Sequence, residues 1–173
     1  MSNYKALLSK VNTFIFDYDG VMTDGKLILL HDGQPLRTAN VKDGYALQLA
    51  RRLGYRVIII SGGISKSVEN RFDNLRITDV FLGINDKTKV FEKYIKENKL
   101  SAEQVLYMGD DIPDYRVMKM AGVPVCPADA SEEIKNISVY ISDKKGGEGC
   151  VRDIIEQVLK VQGKWMTDEA FRW

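Results

Sequence analysis

The chain has 173 residues, 45% of them hydrophobic and 28% charged, the profile of a globular protein with enough material for a full core. Lysine and arginine total 25 against 24 acidic residues, so there is no basic surplus to draw the chain to nucleic acid or an anionic membrane, and a small-molecule partner is expected. Two distant cysteines, Cys126 and Cys150, cannot build a disulfide framework or a zinc knuckle, and no run approaches the roughly 20 apolar residues of a membrane span, so the expectation is a cytoplasmic protein.

The first short apolar run, Val11 to Phe16, reads as a buried strand and leads directly into Asp17-Tyr18-Asp19-Gly20. Residues i and i+2 of a strand face the same way, so Asp17 and Asp19 can converge on one reacting centre, although taken alone the segment reads equally well as a turn. Lys26 to Val41 breaks the pattern: Leu27 to Leu30 and Leu36 to Val41 flank the turn-forming His31-Asp32-Gly33-Gln34, a β-hairpin signal that puts the lone histidine in a solvated loop. Ala46, Leu47, Leu49, Ala50 and Leu53 then mark one face of a helix that stops at Gly54. Val57 to Ile60 is the next strand, and Ser61-Gly62-Gly63 after it offers a hydroxyl and bare amides for an anion at a helix start, or an ordinary glycine turn.

Val80 to Leu82 is a further strand, followed by Gly83-Ile84-Asn85-Asp86 and by Lys87, which opens a helix marked by Val90, Phe91, Tyr94 and Ile95. A single lysine there is ordinarily a solvated charge. Ser101 with Gln104 reads as a capping box before the strand Val105 to Met108. That strand ends in a second acidic cluster, Gly109-Asp110-Asp111-Ile112-Pro113-Asp114, in which Asp114 is open to a humbler reading as a complement to a helix dipole. Val123 to Cys126 and Val139 to Ile141 complete the strands, and the tail from Gln162 to Trp173 leaves the pattern with two terminal aromatics that need a docking place. Strand and helix alternate, so an α/β fold with a mostly parallel sheet is predicted. Two acidic clusters at two strand ends can meet, and crowded carboxylates need a cation; an all-oxygen set near phosphate favours magnesium.

In order, Asp17-Tyr18-Asp19-Gly20-Val21, Ser61, Lys87 and Gly109-Asp110-Asp111 resemble the four motifs of the haloacid dehalogenase superfamily of phosphohydrolases. The resemblance implies a Rossmann-like doubly wound parallel sheet with helices on both faces. It also implies that Asp17 is the nucleophile, Asp19 the general acid and base, and Ser61 and Lys87 the phosphate ligands. Magnesium would take a carboxylate oxygen of Asp17, the backbone carbonyl of Asp19 and Asp110, with Asp111 and Asp114 in support.

Only 43 residues separate Asp17 from Ser61, and 22 separate Lys87 from Asp110, so no cap domain fits and residues 1–173 read as one domain with a hairpin insertion at 26–41 and a tail at 162–173. An open site in a monomer predicts that another chain completes the pocket. Capless members with such a hairpin, the 3-deoxy-D-manno-octulosonate 8-phosphate phosphatases, resemble this chain through nearly its whole length. That resemblance includes Thr23-Asp24-Gly25, Gly146-Gly147-Glu148-Gly149 and Gln162-Gly163-Lys164. It implies a keto-sugar phosphate substrate of lipopolysaccharide precursor synthesis, held by Asp19, Asn40, Val41, Lys42, Asp43, Gly44, Gly62, Arg71 and Lys87, and a homotetramer with shared active sites. Two departures stand out: Gly63 and Gln48 occupy places where these enzymes often carry arginines able to read a sugar carboxylate. A nine-carbon keto-sugar 9-phosphate and a catalytically silent regulatory role are the alternatives; a phosphotransferase would need a cover against water that is not encoded.

Overall fold

The computed structural model describes residues 4–31, 33 and 35–172. Six strands, β1 (Thr13–Phe16), β2 (Arg56–Ile60), β3 (Asp79–Phe81), β4 (Val105–Met108), β5 (Val123–Cys126) and β6 (Tyr140–Ile141), form one sheet in the order β3-β2-β1-β4-β5-β6. Every pairing is parallel. Among the described residues, seven α-helices surround it: α1 (Tyr4–Leu8), α2 (Val41–Arg52), α3 (Lys66–Asn74), α4 (Lys87–Glu97), α5 (Ile112–Met118), α6 (Glu132–Ile137) and α7 (Cys150–Val161).

A parallel sheet covered on both faces needs strands that are apolar at nearly every position, and the central strands meet that need apart from Thr13 at the start of β1 and Arg56 at the start of β2. Phe14, Phe16, Val57, Ile59, Leu106 and Met108 join a core shared with α1, α2, α3 and α7. Ile15, Ile58, Ile60, Val105 and Tyr107 point the other way, into a core shared with α4, α5 and α6. The doubly wound expectation therefore stands, and no inserted cap occurs among the described residues. None of the described helices is long and apolar enough to cross a membrane.

Gly54 follows the α2 cap with φ +86°, the left-handed turn that ends the helix. Elsewhere several sequence expectations need correction. Among the described residues the hairpin is reduced to a single antiparallel bridge between Ile28 and Leu36, and its second arm ends early because Asn40 caps α2 and Val41 is already its first residue. Asp32 and Gln34 of its turn lie outside the described residues. The Ser101–Gln104 capping box does not form: the segment is one short 3-10 turn in which the Ser101 side chain makes no cap bond, and only the backbone of Gln104 donates to Ser101. The 162–173 tail docks on its own chain. Arg52 donates to the carbonyls of Glu169 and Arg172, the Tyr45 hydroxyl to that of Ala170, and Arg152 stacks on Trp165. Trp173 lies outside the described residues.

Candidate active site

In this strand order β1 and β4 lie side by side although the chain turns opposite ways after them, and the carboxyl ends at such a switch point form a crevice. Phe16 pairs with Met108, and the Asp17 amide extends the ladder by donating to the Met108 carbonyl at 3.0 Å. The residues that follow the two strands are therefore forced together: Asp17 from one, Asp110 from the other. Gly20 completes the approach. It adopts φ +84°, and a Cβ there would stand 2.0 Å from Asp110 Oδ2, so the carboxylate packs on a bare Cα.

Lys87, the first residue of α4 behind an Asp86 cap, is buried rather than solvated. Its ammonium reaches Asp17 Oδ2 at 2.9 Å and Asp114 Oδ1 at 2.7 Å. Asp114 Oδ1 also accepts from the Tyr107 hydroxyl at 2.8 Å, and the Tyr18 amide donates to Asp17 Oδ1 at 2.7 Å. Asp114, only 1% exposed, belongs to this cluster; a helix-dipole role alone would leave it at the surface.

The electrostatics of the cluster favour a cation. Burial, reinforced by Asp114, pushes Asp17 up to about 8 despite Lys87 and the Tyr18 amide. Burial and Asp114 raise Asp110 to about 7. Burial opposes the charge of Lys87, but Asp17 and Asp114 outweigh it and its pKa rises. One lysine thus faces three carboxylates whose ligand oxygens lie within 4.8 Å of one another, in Asp17, Asp110 and Asp114. A hard divalent cation fits that all-oxygen donor set and would relieve the repulsion.

Asp17, Asp19, Ser61, Gly62, Gly63 and Lys87 line one open cleft of about 970 Å³ beside this cluster. Ser61 and Gly62 lie in the loop after β2, three or more residues before α3 begins, so the helix start expected there is displaced. Ser61 Oγ accepts from the Gly63 amide at 3.2 Å. Asp111 is exposed and falls outside the three-carboxylate cluster.

Asn40, Val41, Lys42, Asp43, Gly44 and Arg71 do not line this cleft. Asn40 accepts from the Lys42 amide and donates to the Gly147 carbonyl, while Arg71 donates to the Asn40 carbonyl at 2.8 Å. Asp43 is buried and turned to α7, accepting from the Arg152 amide at 2.7 Å. Two residues at the site had escaped sequence reasoning. Tyr107 hides inside an apolar strand, and its hydroxyl is the only clue; Arg37, which grips Asp19 from the insertion, carries no spacing signal at all.

Residues 79–154 match the family profile of haloacid dehalogenase-like hydrolases. The chain is 34% identical over 165 residues to the 3-deoxy-D-manno-octulosonate 8-phosphate phosphatase of Escherichia coli (strain K12), covering 95% of this chain and 87% of the relative. The crystal structure of that phosphatase from Yersinia pestis superposes with a TM-score of 0.91 at 32% identity, over 94% of this chain and 88% of the other. The Moraxella catarrhalis enzyme, in complex with magnesium, phosphate and KDO, gives 0.91 at 30% identity over 95% of both chains. On that identity and coverage, this chain belongs to the 3-deoxy-D-manno-octulosonate 8-phosphate phosphatase family of haloacid dehalogenase-like hydrolases.

Proposed function

We propose that the chain hydrolyses 3-deoxy-D-manno-octulosonate 8-phosphate, with magnesium, through a phosphoryl group carried on Asp17. The observation that carries this reading is the Asp17 carboxylate, fixed between the Tyr18 amide and the Lys87 ammonium at the floor of an open cleft. That cleft also holds a second carboxylate, Asp19, at its rim.

In the first step an Asp17 oxygen forms a bond to phosphorus, and the bond from phosphorus to the sugar oxygen breaks as Asp19 gives that oxygen a proton. In the second, Asp19 takes a proton from water, which attacks phosphorus and returns Asp17 as a free carboxylate. Lys87, the Ser61 hydroxyl and the Gly62 amide hold phosphate oxygens, whose charge is the main burden in phosphoryl transfer. Magnesium would be held by Asp17, Asp110 and the Asp19 carbonyl, with Asp114 behind them, and when bound it neutralises charge on the phosphate. Val41 and Lys42, exposed at the start of α2, are the members of the Asn40–Gly44 segment left to face a sugar.

The same reading includes a shared site. Leu27, Ile28, Leu29, Leu30 and Leu36 are all exposed around the Ile28–Leu36 bridge, an apolar surface suited to another copy. The tail already packs on its own chain, so the hairpin segment carries the homotetramer reading. Cytoplasmic residence and a step in lipopolysaccharide precursor synthesis belong to it as well. Phosphate release across a panel of sugar phosphates tests the substrate: the octulosonate 8-phosphate is expected to give the highest kcat/KM, and a leading nine-carbon 9-phosphate or neutral sugar phosphate would replace it.

A further inference from the structure

Asp19 is held by a group that stands outside every strand-end motif. Arg37 lies between the Ile28–Leu36 bridge and α2. It donates from Nε to Asp19 Oδ1 at 2.7 Å and from Nη2 to Oδ2 at 3.1 Å, the two-point grip of guanidinium on carboxylate. The Arg37 side chain is 9% exposed while that of Asp19 is 35% exposed, so the carboxylate stands between the cation and the cleft. The remaining nitrogen, Nη1, is buried without a hydrogen-bond partner among the described residues. A buried donor left unpaired is costly, and this one marks a place where an acceptor belongs. Residue 63 makes the pair possible: a Cβ on Gly63 would sit 3.0 Å from Arg37 Nη2 and 3.1 Å from Asp19 Oδ2.

We infer that Arg37 reads the carboxylate of the substrate, exchanging Asp19 for it when the sugar acid enters the cleft. The inference rests on the reading of the substrate as a keto-sugar acid phosphate. A carboxylate arriving at Arg37 replaces one anion by another and, by taking the Nη1–Nη2 edge in place of the Nε–Nη2 edge that Asp19 holds, supplies the acceptor that Nη1 lacks. Asp19 is then released to serve the leaving oxygen. A phosphate ester without a carboxylate can free Asp19 only by stranding a buried cation, and the site discriminates against it for that reason.

The test compares wild type, Arg37→Gln and Arg37→Lys on four substrates with magnesium present: the octulosonate 8-phosphate, a nine-carbon keto-acid 9-phosphate, arabinose 5-phosphate and p-nitrophenyl phosphate. Arg37→Gln is expected to lower the kcat/KM ratio of acid to neutral substrates about tenfold or more. Arg37→Lys, which keeps charge but not the fork, should fall between. Thermal melts check that both variants fold. If wild type favours the nine-carbon acid and Arg37→Gln erases that preference, the eight-carbon reading falls and Arg37 keeps its role. The role itself is overturned if wild type ignores the carboxylate, or if Arg37→Gln lowers both classes alike or neither, since Arg37 would then only brace Asp19.

Discussion

At the scale of single residues, burial decides which charges matter. Asp110 carries the metal argument, because it is the cluster member with neither lysine nor tyrosine on it. Asp110→Ala is therefore expected to raise the magnesium concentration for half-maximal activity by about tenfold to a hundredfold. A chelator should abolish wild-type activity, and calcium should restore it poorly. Undiminished turnover in metal-free buffer would contradict the assignment. Asp43 offers a prediction independent of catalysis. Burial lifts it to about 6, against the Arg152 amide and the charges of Arg71 and Arg152, and its Oδ2 is buried with no partner among the described residues. A raised carboxyl favours the folded state below its unfolded pKa of 3.8, and that contribution is lost as pH climbs through about 6. Asp43→Asn keeps an acceptor for Arg152 without the charge, so it should be more stable than wild type at pH 7 to 8, by up to about 3 kcal/mol in denaturant unfolding. The difference should shrink as pH falls through about 6 and vanish below about pH 3, and one that stays constant with pH would refute the cause given. Asp17, Asp19, Ser61, Lys87 and Asp110 were legible in the sequence because each sits at a strand end or helix start. Arg37 was not, since only the folded chain brings residue 37 to residue 19.

At the scale of elements, apolar periodicity located the central strands because those strands are buried on both faces. β4 and β5 match the expected ranges, while β1 begins two residues late: Val11 still closes the turn after α1 by donating to the Leu8 carbonyl, and Asn12 leads into the strand, donating to the Gln104 carbonyl and accepting from the Arg56 amide. Where burial is missing the signal failed. The insertion is apolar in sequence yet exposed in the fold, so its pattern did not report the one-bridge structure it adopts. Ser101 and Gln104 had the right spacing for a box, but a three-residue turn is too short to hold both reciprocal bonds. The loop after β1 depends on Gly20 for both its left-handed φ and its space. Gly20→Ala combines a strained backbone with a methyl inside the Asp110 carboxylate. It should weaken magnesium binding about tenfold or more while the central sheet survives, a difference that titration calorimetry and circular dichroism separate. Normal metal affinity in a folded Gly20→Ala protein would show that this contact does not set the position of Asp110.

At the scale of the whole molecule, the sheet assembles the chemistry and leaves one side of the cleft open. The exposed leucines of the insertion are the surface that another copy would cover. Replacing Ile28 and Leu29, 59% and 80% exposed, with aspartates should therefore shift light scattering from an oligomer to the monomer mass. An unchanged mass would contradict the proposal that this surface holds copies of the chain together. The proposed passage of phosphate from the sugar through Asp17 requires a phosphorylated Asp17 carboxylate, and one experiment detects it. In Asp19→Asn the second step lacks its base, whereas the activated ester p-nitrophenyl phosphate needs no acid in the first. Rapid mixing of that variant with the ester is expected to release one equivalent of p-nitrophenol per active site in a burst, and peptide mass spectrometry of the quenched protein should find the phosphoryl group on Asp17. Steady release without a burst at the wild-type rate, or a phosphoryl group on any other residue, would contradict the account.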